Sequence, residues 1–414
     1  MRLVVLCPHF EPDTAPTGVV MTRIVGELAA RGHHLDVVTS LPWYERHAVE
    51  PGYAGRLVRR NRTEWGSITR VHPFPAPKQH IAKRGAAFGA FSALVAGAGA
   101  AGRRVDGVLA MSPPLTMGFA GRLVATTRRA PLVFNVQDVF PDVAVELGVL
   151  SDPGLVAVAR GLERASYRVA DAVTVLSTDL ADNLTAKVGP ARAHKIRVIP
   201  NFVDTTAIRP GPKQNRFRRE LDVGDRPVVM YAGNIGLSQP LDLLVDAARH
   251  LPDVAVVIVG NGAARADLMA RAEGLDNVRF AEFQPLERLA EVLAAADVHT
   301  VLLRRGLGRA SVPSKLYSIL AAGRPFVASV DPGTEVARVA EEQGTGLAVG
   351  PEDGAALVGA LRRLLGDPEE AATMGERGRR FVEGWASPAA VAESYEKLFE
   401  ELAGQRDPGL SPAR

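Results

Sequence analysis

Short apolar runs recur along the chain, each bounded by glycine, proline or polar residues. Residues 2–7, 35–39, 105–110, 132–136, 172–176 and 196–199 form one set, and residues 227–231, 254–259, 277–280, 298–302, 325–328 and 346–349 form a second. A run such as Leu3-Val4-Val5-Leu6-Cys7 shows no polar alternation. A strand of that kind must be covered on both faces, as in a parallel sheet between helical layers. Helical stretches stand between the runs: 19–31, closed by Gly32, then 240–250, 353–365 and 368–382. The alternation predicts an α/β chain built on two doubly wound parallel sheets.

At 414 residues the chain exceeds what one hydrophobic core ordinarily serves. Residues 205–225, rich in proline, glycine and charge, read as a linker, so the expected domains are 1–205 and 206–386. An amphipathic helix follows at 387–403, with Val391, Tyr395, Leu398, Phe399 and Leu402 on its apolar face. Residues 404–414 read as a disordered tail.

A single cysteine, Cys7, excludes a disulfide framework and zinc-ligand spacing; ending an apolar run, it reads as a buried strand residue. Met1-Arg2-Leu3-Val4-Val5-Leu6 is too short for a signal peptide, so the expected location is cytoplasmic. Net charge is only +3, yet residues 46–84 hold nine basic residues against Glu50 and Glu64. These are Arg46, Arg56, Arg59, Arg60, Arg62, Arg70, Lys78, Lys83 and Arg84. The patch suits an anionic lipid surface or a solvated basic face. No nucleic-acid motif accompanies it, so nucleic acid is not an expected partner. Trp43 and Tyr44 lie beside it in a proline-bounded loop.

Residues 85–102 carry no charge and lie between Lys83-Arg84 and Arg103-Arg104. Phe88, Phe91 and Leu94/Val95 fall on one helical face. Two readings stand: a membrane-surface helix with basic flanks, or a helix packed on its own domain. A spanning helix is not expected from so much alanine and glycine.

Four places carry chemistry. Residues 311–328 read Ser-Val-Pro-Ser-Lys-Leu-Tyr-Ser-Ile-Leu-Ala-Ala-Gly-Arg-Pro-Phe-Val-Ala. Pro313 and Ser314 suit a helix start and Gly323 its end, which puts Lys315 in the first turn. A lysine there opposes the helix dipole unless an anion is bound, and an ordinary surface lysine is the plainer alternative. Tyr231-Ala232-Gly233-Asn234-Ile235-Gly236 and Gly260-Asn261-Gly262 are glycine turns at strand ends, suited to a diphosphate. Gly18, after Thr17, opens the first helix where a ligand can approach backbone. Asp138 and Asp142 follow the strand 132–136, at the sheet edge where open α/β folds bind ligands. Asp138 serves chemistry there or caps the next turn.

The Ala-Ala-Gly-x-Pro-hydrophobic segment at 321–326, late in such a chain, resembles the donor-binding segment of the retaining glycosyltransferases of family 4. Pro313-Ser314-Lys315-Leu316-Tyr317 is similar to the branch that builds capsule, O-antigen and colanic-acid-type glycans, N-acetyl-fucosamine transferases included. Val198-Ile199-Pro200-Asn201-Phe202-Val203-Asp204 resembles the family's domain-junction signature, with Phe202 in place of its glycine. The resemblance implies a GT-B fold, two Rossmann-like domains facing across a cleft. The last helix would pack back on the first domain. It also implies a hexosyltransferase-type enzyme acting with retention, the leaving phosphate serving as base. Its donor-binding residues would be Gly18, Gly233, Asn234, Gly236, Gly260, Gly262, Ser314, Lys315, Tyr317 and Ser318. Residues 278–283 would hold the nucleotide base. Asp138 and Lys315 would be catalytic. Trp43, Arg59, Arg60, Lys83, Arg84, Phe88 and Phe91 would meet the acceptor or the membrane. No Asp-x-Asp dyad is present, so no metal or other cofactor is expected.

The sequence departs from the family in two further places. Two glutamates of its best-known signature are replaced by Ala310 and Ser318, leaving the ribose contact to Tyr317 or Ser318. Asn234 and Leu237 stand near the usual diphosphate-binding Arg and Lys, which shifts the charge onto Lys315 and Arg309. The leading expectation is transfer of a sugar, N-acetylated ones among the candidates, from a UDP-linked donor. The acceptor would be a polyprenyl-diphosphate-linked saccharide of cell-surface polysaccharide biosynthesis. The enzyme would sit peripherally on the inner face of the cell membrane. A soluble small-molecule acceptor and a non-catalytic nucleotide-sugar binder are the alternatives. An oxidoreductase is disfavoured because no Gly-x-Gly-x-x-Gly turn follows the first strand.

Overall fold

The computed structural model describes residues 1–76, 81–146, 150–236, 238–307, 313 and 315–406. The chain forms two compact units. The first takes Met1–Pro200 with the last helix from Val391 onward, and the second takes Asn201–Ala390.

The first unit is built on eight strands: β1 (Arg2–Leu6), β2 (His34–Ser40), β3 (Val58–Thr63), β4 (Gly66–Val71), β5 (Gly107–Ser112), β6 (Leu132–Val136), β7 (Ala172–Val175) and β8 (Ile196–Val198). Their order is β3-β4-β2-β1-β5-β6-β7-β8. All neighbours are parallel except β3 and β4. The continuous apolar runs lie at the centre of the sheet, where Leu3, Val4, Val5 and Leu6 are fully buried. Cys7 is buried with them, and burial pushes its thiol up to about 12, which makes it inert.

The β3–β4 hairpin was not legible as strand. Arg59, Arg60, Asn61 and Arg62 occupy an edge strand with no outer neighbour, and charge on such an edge blocks further pairing. Arg59 lies 4.9 Å over the Tyr53 ring, and Arg60 donates to Ser67 Oγ at 3.2 Å. Arg70 is buried and donates to the Glu11 carbonyl. The basic patch is therefore partly structural.

The uncharged segment forms the helix Ile81–Ala100. Its second half packs on its own unit: Phe91, Val95 and Ala96 are buried, and a Cβ on Gly99 would stand 2.9 Å from Val124 Cγ2. This corrects the membrane-facing reading of Phe91, whose face of the helix is the packing face. Among the described residues no helix is long and apolar enough to cross a membrane.

The final helix, Pro388–Arg406, is anchored by a buried polar chain. Gln137 Nε2 donates to Asn135 Oδ1 at 2.7 Å, and Asn135 Nδ2 donates to Tyr395 Oη at 2.9 Å. Glu396 receives Arg31 and His33 at the other end of the sheet.

The second unit has six parallel strands: β9 (Val228–Ala232), β10 (Ala255–Val259), β11 (Val278–Ala281), β12 (Val298–Leu302), β13 (Phe326–Ser329) and β14 (Gly346–Val349). Their order is β11-β10-β9-β12-β13-β14, so the winding reverses between β9 and β12. Ligands of doubly wound sheets bind beyond the carboxyl ends of the strands at such a reversal. Residues 201–208 fold onto this unit rather than the first. Arg379 donates to the carbonyls of Thr205 at 2.8 Å and Ile208 at 2.7 Å, and Val203 N–H to Ala386 O at 2.9 Å.

Candidate active site

In the second unit, the helix Lys315–Ala321 is one of the elements around the β9–β12 reversal. Leu316, Tyr317, Ile319, Leu320 and Ala321 are buried, and Lys315, in the first turn, is half-buried. The Lys315 ammonium reaches Tyr231 Oη at 2.5 Å and lies 3.8 Å from the centre of the Tyr231 ring. Tyr231 in turn donates to the Asn234 carbonyl at 2.6 Å. Gly233 has φ +149°, which disfavours any side chain, and a Cβ there would stand 3.0 Å from Lys315 Nζ. Among the described residues no carboxylate pairs with Lys315. Burial without a counter-charge lowers its pKa to about 7. A buried cation without a counter-charge is stabilised by any anion that comes beside it.

The two glycine turns have different physical reasons. Gly233 N–H donates to Val259 O and Ile235 N–H to Asn261 O, both at 2.9 Å, so the loops after β9 and β10 are hydrogen-bonded together. Gly260 has φ +141°, and a Cβ there would overlap the Gly233 carbonyl oxygen. A Cβ on Gly262 would overlap the Ile235 carbonyl. These two glycines let one loop lie on the other, a packing demand that the sequence pattern does not separate from ligand contact. Gly236 is packed against the Asn234 and Gln239 side chains. Asn234 is exposed at the rim, and Phe283, 58% exposed, follows β11 within contact of Gly260.

Tyr317 is corrected as a donor contact. It is 4% exposed inside the apolar cluster around Leu316 and Phe326. Ser318 is half-buried on the same helix. Ser314, Arg309, Ala310, Leu237 and Lys78 lie outside the described residues.

In the first unit, a cavity of about 720 Å³ opens at the carboxyl ends of β1, β2, β5 and β6. It gathers Trp43, Arg84, Phe88, Phe91 and Asp138, five of the residues singled out in the sequence, from three distant segments. Arg84 lies 5.7 Å over the Phe88 ring. Asp138 is open to the cavity, yet protein surrounds it closely enough that desolvation raises its carboxyl pKa. Its carboxylate caps no backbone N–H among the described residues, which removes the capping alternative. Lys83 is exposed at the helix start, and Arg59 and Arg60 stay on the β3 edge, outside the cavity.

Gly18 is also corrected. A Cβ there would meet His9 Cβ at 2.9 Å and the Asp13 carbonyl at 3.3 Å. The space beside it is filled by the loop after β1, not left for a ligand. Sequence reasoning missed what that loop holds. His9 Nδ1 lies 2.7 Å from Asp13 Oδ2, and the His9 ring lines the cavity beside Trp43 and Ser40. The i, i+4 spacing of His9 and Asp13 was visible, but the intervening Pro12 argues against a helix that would pair them.

Two family models match the chain: a glycosyl transferase 4-like domain over residues 17–201 and glycosyl transferases group 1 over residues 213–381. A relative from Escherichia coli K12, WcaI, is named for a glycosyl transferase role in colanic acid biosynthesis. It is 30% identical over 379 residues, covering 88% of this chain and 92% of its own. The chain belongs to the group 1 glycosyltransferases. It is an enzyme of the hexosyltransferase type. Sucrose-phosphate synthase from Thermosynechococcus elongatus is similar in structure, with a TM-score of 0.71 at 22% identity over 98% of this chain and 100% of its own. Anabaena HepE, solved in complex with UDP, has a TM-score of 0.68 at 15% identity over 97% of this chain and 100% of its own. At these identities the likeness shows the fold, which is GT-B.

Proposed function

We propose that this glycosyltransferase moves a sugar from a UDP-linked donor to a polyprenyl-diphosphate-linked saccharide, with retention and without a required metal. N-acetylated sugars are among the candidate donors, the pathway is cell-surface polysaccharide biosynthesis, and the protein works on the inner face of the cell membrane. The observation that carries the donor half is Lys315, a buried cation without a carboxylate at the sheet reversal. In the reaction the acceptor oxygen bonds to the anomeric carbon while the bond to the diphosphate breaks. The diphosphate leaves with the electron pair and ends with the hydroxyl proton. Its growing charge meets the Lys315 ammonium and the backbone of the 233–236 loop, and fixed donors of this kind are usually the largest catalytic contribution. The UDP complex of HepE supports the choice of nucleotide. The name of WcaI supports the pathway. The acceptor half rests on the first unit's cavity, which joins aromatic walls to Asp138 and to Arg84, a residue suited to phosphate.

The test is transfer from radiolabelled UDP- and GDP-sugars, with chelator present, to a bacterial lipid extract or to soluble sugars. Label from a UDP-sugar in the organic phase is the expected result. Label only in soluble product refutes the lipid-linked acceptor, and dependence on added metal refutes the metal-free step.

A further inference from the structure

His9 is held from several sides. Its Nδ1 faces Asp13, its ring stacks on Trp43 at 5.6 Å, and the Tyr44 ring meets it edge-on at 5.5 Å. Asp13 is itself 5% exposed, and its second oxygen accepts the Tyr44 backbone N–H at 3.1 Å. A carboxylate only accepts, so Nδ1 carries a proton, and in the neutral ring Nε2 is the acceptor. Among the described residues nothing donates to Nε2. The same cavity wall holds Ser40, 1% exposed, whose hydroxyl has no partner among the described residues. An unpaired ring nitrogen beside an indole is the kind of contact a sugar ring uses: a hydroxyl hydrogen-bonds and its apolar C–H face lies on the aromatic ring.

We infer that His9, oriented by Asp13, binds the acceptor: Nε2 receives the hydrogen bond of an acceptor hydroxyl while the sugar ring rests on Trp43. The inference rests on the transfer reading above and deepens it, because it names the group that selects and aims the acceptor. Gly18 then serves the acceptor side, by giving His9 its place.

Two substitutions isolate Nε2. The amide of His9→Asn can keep the hydrogen bond to Asp13 but has no atom where Nε2 stands, whereas His9→Gln can bring an oxygen near that point. Transfer to the bacterial lipid extract is measured over a dilution series, with UDP affinity followed by calorimetry and folding by circular dichroism. With His9→Asn, transfer at limiting extract should fall about 10- to 100-fold, the scale of one lost hydrogen bond left unpaired. His9→Gln should recover part of the loss, and both variants should bind UDP within about twofold of wild type. Wild-type transfer rates in His9→Asn, or an equal loss in both variants, would overturn the inference. If wild type itself transfers nothing, the functional reading fails and a second measurement decides the matter for His9. Octyl β-D-glucoside should quench Trp43 fluorescence in wild type and not in His9→Asn. Equal quenching, or none in wild type, overturns it.

Discussion

Lys315 makes the affinity for a nucleotide-sugar depend on pH in a calculable way. In the free protein its pKa lies at about 7 because burial penalises the ammonium. A diphosphate beside it favours the ammonium and returns the pKa towards the ordinary lysine value. Binding therefore takes up a proton above pH 7. The sign follows: affinity is full where the free lysine is already protonated, below pH 7, and is lost as pH rises. With one titrating group, affinity should weaken ~90-fold between pH 6 and pH 9, and about 0.9 proton should be taken up per ligand at pH 8. UDP-glucose is the suitable probe, because its diphosphate is esterified at both ends and does not titrate in this range. Calorimetry in buffers of different ionisation enthalpy reads both quantities. Lys315→Arg, which does not titrate, should flatten the profile, and Lys315→Met should abolish proton uptake. Lys315→Met should also stabilise the unliganded fold at pH 6, since the native state then no longer has to bury a charge. A flat affinity from pH 7 to pH 9 with no proton uptake in wild type would refute the placement of Lys315 against the diphosphate.

Other substitutions separate the two units. Gly260→Ala places a Cβ on the Gly233 carbonyl at a positive φ, so it should cost about 3 kcal/mol in urea unfolding and weaken UDP binding together. Gly18→Ala should push His9 by a few tenths of an ångström; transfer should fall while calorimetric UDP affinity stays at the wild-type value. Tyr395→Phe removes a partner of buried Asn135 and should lower stability by about 1–2 kcal/mol, measured by denaturant titration of the first unit's near-UV signal.

Much of the architecture was legible because burial on both faces of a strand leaves a local mark. The central runs at 2–7, 132–136 and 254–259 coincide with β1, β6 and β10 to within a residue. The β3–β4 pair was hidden because an edge strand answers to solvent, and Arg59–Arg62 carry no apolar signal. The helix at 81–100 was ambiguous for a related reason: alanine and glycine permit close packing as readily as they suggest an apolar surface, and the burial of Phe91, Val95 and Ala96, with Val124 against Gly99, decides between them.

Sequence alone determined that the chain makes two doubly wound parallel sheets, that Lys315 stands at the start of a short helix, and that glycines must cluster after β9 and β10. Each of these is written in consecutive residues. Tertiary structure decided what those residues are for. Gly18 and Gly260 turned out to answer to neighbouring backbone, Tyr317 to the core, and Lys315 to Tyr231. The cavity that joins His9, Trp43, Phe88 and Asp138 draws on segments far apart in the chain. The reason is physical: a strand or helix is specified by its own periodicity, but the pairing of side chains across a cavity depends on strand order, which no local pattern contains.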